Sequence, residues 1–407
     1  QLLAAQQWAA KKYPASPALG PLAPRSGARR LKVAYFSADF RNHSVAFLTA
    51  ALFEAHDRTR FEVIAFSFGP DTGDDMRKRL QAGFDEFVDV GDRTDMEIAA
   101  LARSMNIDIA IDLAGFTQGA RTGIFAFRAA PVQVSYLGYP GTLGAPYIDY
   151  LVADATLIPP DYRQHYAEKI IELPCFQVND CRRQISNCVF TRDELGLPAN
   201  GFVFCCFNNS YKITPDTFAS WMRILGRVEG SVLLLYAENS LMPDNLRREA
   251  EHAGIDPKRL VFAGLLPPAE YLARYRVADL FLDTLPYNAG TTASDALRMG
   301  LPLLTCTGRA FAGRMAASLL AAMGAPELIA STPSRYEDLA VALASDRAWL
   351  QDIRSKLQRN VPVTPLFDTD RFARQIEAAY VMATERHLAG LPPDHIVVPD
   401  TLPAATP

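Results

Sequence analysis

Short apolar runs alternate with helix-patterned segments along almost the whole chain, and this alternation most limits the folds open to it. Runs that read as strands lie at LKVAYFS (31–37), FEVIAFSFG (61–69), FDEFVDV (84–90), IDIAIDLAG (107–115), PVQVSYLG (131–138) and IDYLVAD (148–154). Helical patterns follow the first run through His56 and cover Asp74–Gln81 and residues 95–105. The pattern restarts at GFVFCCFNN (201–209), then SVLLLYAE (231–238), RLVFAG (259–264), DLFLDT (279–284) and LPLLTCTG (301–308). A helix is predicted over 214–228, with Thr214 as its cap and a proline in its first turn. These runs are apolar almost throughout, as expected of strands buried on both faces. The chain is therefore predicted to be α/β, with two parallel-sheet units in series. Residues 175–200 are irregular and polar and read as the junction. No close sequence repeat relates the two units.

Composition removes several function classes. A length of 407 residues with 49% hydrophobic residues supports two or three domains with ample core. A formal net charge of −4 excludes a strongly basic surface, so a nucleic-acid partner is not expected. No apolar run approaches the ~18 residues of a membrane span, and no signal peptide is read at the start. The six cysteines lack any Cys-x-x-Cys spacing and read as free thiols of a reducing cytoplasm. The six histidines form no His-x-x-x-His pair, and there is no Walker loop or Gly-x-Gly-x-x-Gly. The chain opens on Gln, which suggests a piece of a longer protein. Residues 1–13 read as a short amphipathic helix, Pro14–Ala28 as a linker, and the tail from Leu391 as Pro-rich and extended.

Ligands of parallel α/β sheets bind beyond the carboxyl ends of the strands, so the loops there hold the candidate residues. In LFLDTLPYNAGTTASDALRMG (280–300) a strand ends at Asp283 and a loop with Asn288 and Gly290 leads to a helix opening with Thr291 and Thr292. Unpaired N–H groups at such a helix start suit a phosphate. Asp295, one turn along, is placed to accept from ribose hydroxyls; the alternative is an ordinary helix capped by Thr291. In CCFNNSYKITP (205–215), Lys212 stands where a cation can neutralise a pyrophosphate, the alternative being a solvated loop lysine. His43, in ADFRNHS (38–44), is a candidate general base or else a helix cap. The loops LGYPGTLGAPYIDY (137–150) and AGFTQGAR (114–121), the latter with Thr117, allow close backbone approach or are merely turns. Asp368-Thr369-Asp370 reads as the opening of a final helix over 368–387, not as a metal-diphosphate site.

Taken together, LGYPGTLGAPYIDY, FNNSYKITPDTF with Trp221, LDTLPYNAGTTASDAL and TPLFDT resemble the catalytic region of the O-GlcNAc transferase family, glycosyltransferase family 41, from about Leu31 to Gly390. The resemblance implies a GT-B fold, two Rossmann-like domains with the active site in the cleft between them. It implies a connecting helix and linker over 1–30 and an acceptor-side domain over 31–185. A nucleotide-sugar domain would span 186–367, with a returning helix and tail over 368–407. Repeats of the tetratricopeptide type would precede the chain.

The implied activity is metal-independent, inverting transfer of a sugar, UDP-GlcNAc favoured as donor, to Ser or Thr hydroxyls of a protein or peptide acceptor, with no cofactor. The resemblance places Lys212 at the donor diphosphate, Asn209 and Tyr271 at the nucleotide, Asn288 and Gly290 beside it, and Thr291, Thr292 and Asp295 at diphosphate and ribose. His43 falls on a base candidate, and Gly138, Tyr139, Pro140, Gly141 and Thr142 form a loop beside sugar and acceptor. Departures from the family pattern are Gly290, Tyr271 and Asp108 in place of histidines and Arg309 in place of a glutamate. The SPINDLY-type relatives also lack the histidine beside the threonines, so GDP-fucose, UDP-glucose or another sugar stay open as donor. A non-catalytic nucleotide-sugar or peptide-binding module, and an enzyme of the same fold acting on a small molecule or lipid-linked sugar, stay open as well.

Overall fold

A computed structural model of the chain describes residues 1–24, 29–237 and 239–401. Part of the expected linker (25–28), the last residue of the run 231–238 and the end of the tail lie outside the described residues. The strands are β1 Leu31–Ser37, β2 Phe61–Ser67, β3 Glu86–Asp89, β4 Ile109–Asp112, β5 Val132–Ser135, β6 Tyr150–Ala153 and β7 Lys169–Glu172, then β8 Val203–Cys206, β9 Val232–Tyr236, β10 Leu260–Ala263, β11 Leu280–Leu282, β12 Leu303–Cys306, β13 Ile329–Ala330 and β14 Ile396–Val397. The helices are α1 Leu2–Lys12, α2 Ser44–Ala55, α3 Asp75–Gly83, α4 Asp95–Ser104, α5 Gly123–Ala126, α6 Pro215–Arg227 and α7 Leu241–His252, then α8 Pro268–Arg274, α9 Thr291–Arg298, α10 Met315–Ala322, α11 Pro333–Ser345, α12 Arg347–Asn360 and α13 Thr369–Leu388.

The chain divides into two compact units, residues 1–180 with Asp368 onward and Cys181–Phe367. The first holds a parallel sheet in the order β14-β7-β6-β5-β4-β1-β2-β3. The second holds one in the order β10-β9-β8-β11-β12-β13. The fold class is α/β with two Rossmann-like sheets, as the sequence predicts. In each sheet the strand order reverses beside the first strand, between β1 and β4 and between β8 and β11. A crevice opens at such a switch point beyond the carboxyl ends of the strands. No described helix is long and apolar enough to cross a membrane.

Burial on both faces explains the apolar runs. On the first sheet Val33, Tyr35, Ile109 and Ile111 pack on one side with α2 and α13, while Ala34, Phe36, Ala110 and Phe66 pack on the other with α4 and α5. The final helix belongs to the first unit because Phe372, Ile376, Ala379 and Tyr380 bury their side chains in that core. A buried polar chain reinforces the contact: Glu377 Oε1 lies 2.9 Å from His56 Nδ1, His56 Nε2 2.8 Å from Tyr35 Oη, and Tyr35 Oη 3.1 Å from Tyr380 Oη.

Several expected elements differ in extent. The run 107–115 is a strand only over β4, because the Asp112 carboxylate takes the N–H groups of Ala114 and Gly115 and turns the chain. The run 131–138 stops at Ser135, and Leu137 adopts a left-handed φ of 68°. The sequence reading missed β7, four residues long, the two-residue β13, and β14, which puts part of the expected extended tail into the sheet through pairing of Ile396 with Ile171.

Candidate functional site

In the second unit the exits of β8 and β11 and the tip of α9 come together, as their neighbouring places in the sheet require. Asn208, directly after β8, is buried. Its Nδ2 donates to Thr284 Oγ1 at 2.8 Å and its Oδ1 accepts from the Thr292 hydroxyl. The loop after β11 is tied down by its own polar atoms. Asp283 accepts from the N–H groups of Thr284 (2.8 Å) and Ala289 (2.7 Å) and from Thr305 Oγ1 (2.7 Å). Burial nonetheless pushes its carboxyl up to about 6. Asn288 Nδ2 donates to Thr284 O at 2.7 Å, and its buried Oδ1 has no partner among the described residues. Underneath, Trp221 Nε1 donates to Tyr336 Oη (3.1 Å), which donates to Asp283 O (3.0 Å).

Lys212 closes a short turn and is largely withdrawn from solvent. Its Nζ donates to Asn288 O at 2.9 Å and stands 3.8 Å from the centre of the Tyr287 ring. Burial lowers the ammonium to about 8, opposed by the nearby Asp283 carboxylate and Cys206 thiol. The N-cap of α9 is Gly290, not Thr291, and no side chain caps the helix. Its first-turn N–H groups, from Thr291 onward, therefore have no intrahelical acceptor and present partial positive charge. The site can thus receive an anion between an amine and a helix tip.

The remaining candidates have definite partners. Asp295 is buried and paired with Arg183, at 2.7 Å to Nη1 and 3.4 Å to Nη2, a partner the sequence reading did not anticipate. Tyr271 Oη lies 2.5 Å from Tyr275 Oη, and Tyr275 donates to Thr292 O at 3.1 Å. Asn209 is exposed and begins the turn to Lys212, its carbonyl accepting from Lys212 N at 3.0 Å. Arg274, also missed, is buried over the Phe207 ring (4.5 Å) with Nη1 on Gly264 O and with Nε and Nη2 unpaired among the described residues. Nothing in a one-dimensional pattern marks a helical arginine as buried.

In the first unit the loops after β1, β4 and β5 hold the other candidates. His43 is the N-cap of α2: its Nδ1 accepts from Val45 N at 3.3 Å and lies 3.6 Å from Asp39 Oδ2. Burial lowers its pKa, and Asp39 opposes that shift. With Nδ1 accepting, the neutral ring carries its proton on Nε2; a shift of that proton to Nδ1, facing Asp39, frees Nε2 to act as a base.

Gly138 and Gly115 are dictated by close approach. A Cβ on Gly138 would stand 1.9 Å from Leu113 O, and one on Gly115 2.4 Å from Tyr139 Cβ. Tyr139 stacks edge-on to Phe116 and, with Pro140, stays partly exposed. Gly141 and Thr142 are buried instead. The Thr142 hydroxyl donates to Glu168 at 2.6 Å and Leu143 N donates to the same carboxylate at 2.7 Å, so Thr142 braces the loop from within. Thr117 is exposed, its Oγ1 on Ala114 O at 2.8 Å. Asp108 lies at the amino end of β4, paired with Arg29. Among the described residues no three His, Cys, Asp or Glu side chains converge as a metal-holding group.

Comparison with known proteins agrees with this geometry. The family model described as glycosyl transferase family 41 matches residues 21–187 and 178–376. An Arabidopsis thaliana protein named "Probable UDP-N-acetylglucosamine--peptide N-acetylglucosaminyltransferase SEC" is 36% identical over 94% of this chain and 40% of its own length. An Arabidopsis SPINDLY protein with the same activity in its name is 33% identical over 89% of this chain and 40% of its own. The chain thus spans about two fifths of these relatives. Among solved structures, an O-GlcNAc transferase mutant of Thermobaculum terrenum matches with a TM-score of 0.85 at 33% identity, over 96% of this chain and 74% of that one. An Anabaena HepE structure containing UDP and glucose shares the fold at 13% identity, with a TM-score of 0.57 over 87% of this chain and all of that one. On the extent of the family match and on these identities, this chain belongs to glycosyltransferase family 41.

Proposed function

We propose that the chain is the catalytic region of a protein O-glycosyltransferase that moves a sugar, UDP-GlcNAc being the favoured donor, to Ser or Thr hydroxyls of protein or peptide acceptors. The observation that carries this reading is the juxtaposition of Lys212 with the uncapped tip of α9 at the switch point of the second sheet. An amine and a row of amides suit the two phosphorus groups of a nucleotide diphosphate and supply the neutralisation that a divalent ion gives elsewhere. The relatives' names add the sugar and the peptide acceptor.

In this mechanism the acceptor hydroxyl attacks the anomeric carbon from the face opposite the nucleotide, with inversion and without a metal. Lys212 and the amides at Thr291 and Thr292 stabilise charge growing on the leaving diphosphate. Arg274 and Tyr271 flank the nucleotide, and Asp295, oriented by Arg183, faces its ribose. His43 takes the hydroxyl proton or orients the hydroxyl, while the loop from Gly138 to Pro140, braced at Gly141 and Thr142, lies beside sugar and acceptor. Gly290 beside the threonines also favours a second donor reading, a sugar other than GlcNAc, since a histidine is absent there. The free thiols fit a reducing cytoplasm.

The test is a thermal-shift panel with UDP- and GDP-sugars, followed by intact-mass analysis of acceptor proteins incubated with the sugar that stabilises most. A mass gain equal to that sugar in EDTA supports the reading. Absence of stabilisation by every nucleotide, or turnover only with added metal, refutes it.

A further inference from the structure

Lys212 has an uncommon set of partners for a withdrawn ammonium. Among the described residues it forms no salt bridge; Asn288 O and the face of the Tyr287 ring are what hold it. The ring is itself fixed. Tyr287 O accepts from Thr284 Oγ1 at 2.6 Å, the next residue's N–H donates to Ala312 O at 2.9 Å, and the Tyr211 ring leans on Tyr287 with centroids 6.1 Å apart.

We propose that Tyr287 is the positioning residue for Lys212, its ring face keeping the amine charged and in place where a carboxylate would otherwise be needed. This rests on the reading of Lys212 as the cation at the diphosphate. A carboxylate partner would neutralise the amine and would have to be displaced by the incoming anion. An aromatic face attracts the cation through its quadrupole and takes no oxygen acceptor's place at the amine's N–H donors, as a carboxylate would. One N–H goes to Asn288 O, leaving two for an anion. The titratable groups facing the amine are Asp283, from the end of β11, and Cys206, from the end of β8; both favour the charged form, and burial opposes them. The ring adds to the side that holds the charge.

The test titrates the Lys212 amine by NMR in the unliganded protein, with Tyr287→Phe and Tyr287→Leu beside the parent, and measures UDP affinity by calorimetry at two pH values. Tyr287→Phe keeps the ring and should titrate like the parent. Tyr287→Leu should move the midpoint down by about one pH unit. Its UDP affinity should fall about five-fold at a pH near the parent midpoint, and less one or two units lower, where the amine stays charged. A Leu protein that titrates like the parent, or a Phe protein that behaves like Leu, overturns the proposal. If Tyr287→Leu does not fold, a series of progressively fluorinated phenylalanines at 287 replaces it; the midpoint must then fall with each fluorine, and a flat series refutes. Failure of the parent to bind UDP would instead count against the proposed function, while the NMR titration would still decide the role of the ring.

Discussion

The effect of Asp112→Asn on the stability of the first unit should depend strongly on pH, becoming more favourable as pH rises. Asp112 ends β4 with its side chain 2% exposed. Oδ1 accepts from Ala114 N and Gly115 N, at 2.9 and 3.0 Å, while the buried Oδ2 has no partner among the described residues. Burial outweighs the two amides and pushes the carboxyl from 3.8 to about 6. The folded state thus binds the proton more tightly than the unfolded chain, so stability falls as pH rises from about 4 to 6 and the full penalty stands above 6. A shift of about two units corresponds to about 3 kcal/mol. An asparagine keeps the Oδ1 contacts and carries no charge. Its unpaired amide costs ~1–3 kcal/mol at every pH, and that cost cancels when the effect at pH 8 is compared with the effect at pH 4. Urea unfolding of both proteins at the two pH values gives the comparison directly. The substitution should be more favourable at pH 8 than at pH 4 by about 2–3 kcal/mol, with unchanged m-values. A difference below about 1 kcal/mol, or one of opposite sign, would show that the carboxylate is solvated or paired in solution and would refute the reasoning.

Other outcomes follow from the sites. Lys212→Met should cut sugar transfer by about 10²–10³-fold, the loss typical of one electrostatic donor at a developing anion, while leaving the unfolding midpoint near the parent's; full activity would remove Lys212 from the mechanism. His43→Asn preserves an N-cap acceptor for Val45 N, so its melting temperature should hold while transfer falls by about 10²–10⁴-fold. His43→Ala should in addition lose about 1 kcal/mol of stability, and an active Asn protein would leave the histidine as a cap alone. Arg183→Met takes the charged partner from the buried Asp295 and should cost about 3–5 kcal/mol by denaturant unfolding, more than Arg183→Met combined with Asp295→Leu.

Much of the architecture was legible because parallel strands buried on both faces write themselves as apolar runs, and eleven such runs needed no tertiary information to be found. The strands missed, KIIE at β7, Ile329–Ala330 at β13 and Ile396–Val397 at β14, are too short to show a period. The placement of Lys212, Thr291 and Thr292 at the carboxyl edge of the second sheet was legible from strand–loop–helix order, since such loops must meet there. Arg183, Arg274 and Glu168 were not, because their significance comes from partners 112 residues away, from an aromatic neighbour far along the chain, and from a loop 26 residues back. Asn208 and Asn209 illustrate the limit at single-residue resolution: adjacent amides are equivalent in a string, yet the end of β8 turns one inward to Thr284 and Thr292 and leaves the other exposed.

The sequence by itself determined the two α/β units, their strand-end loops and the family, since periodicity and motif spacing are properties of the chain alone. Tertiary structure alone decided which polar groups lose water and which partner each then takes: that Asp295 answers Arg183, that Thr142 answers Glu168, and that Lys212 rests on an aromatic ring. Desolvation is set by everything packed around a group, and no local window of residues contains it.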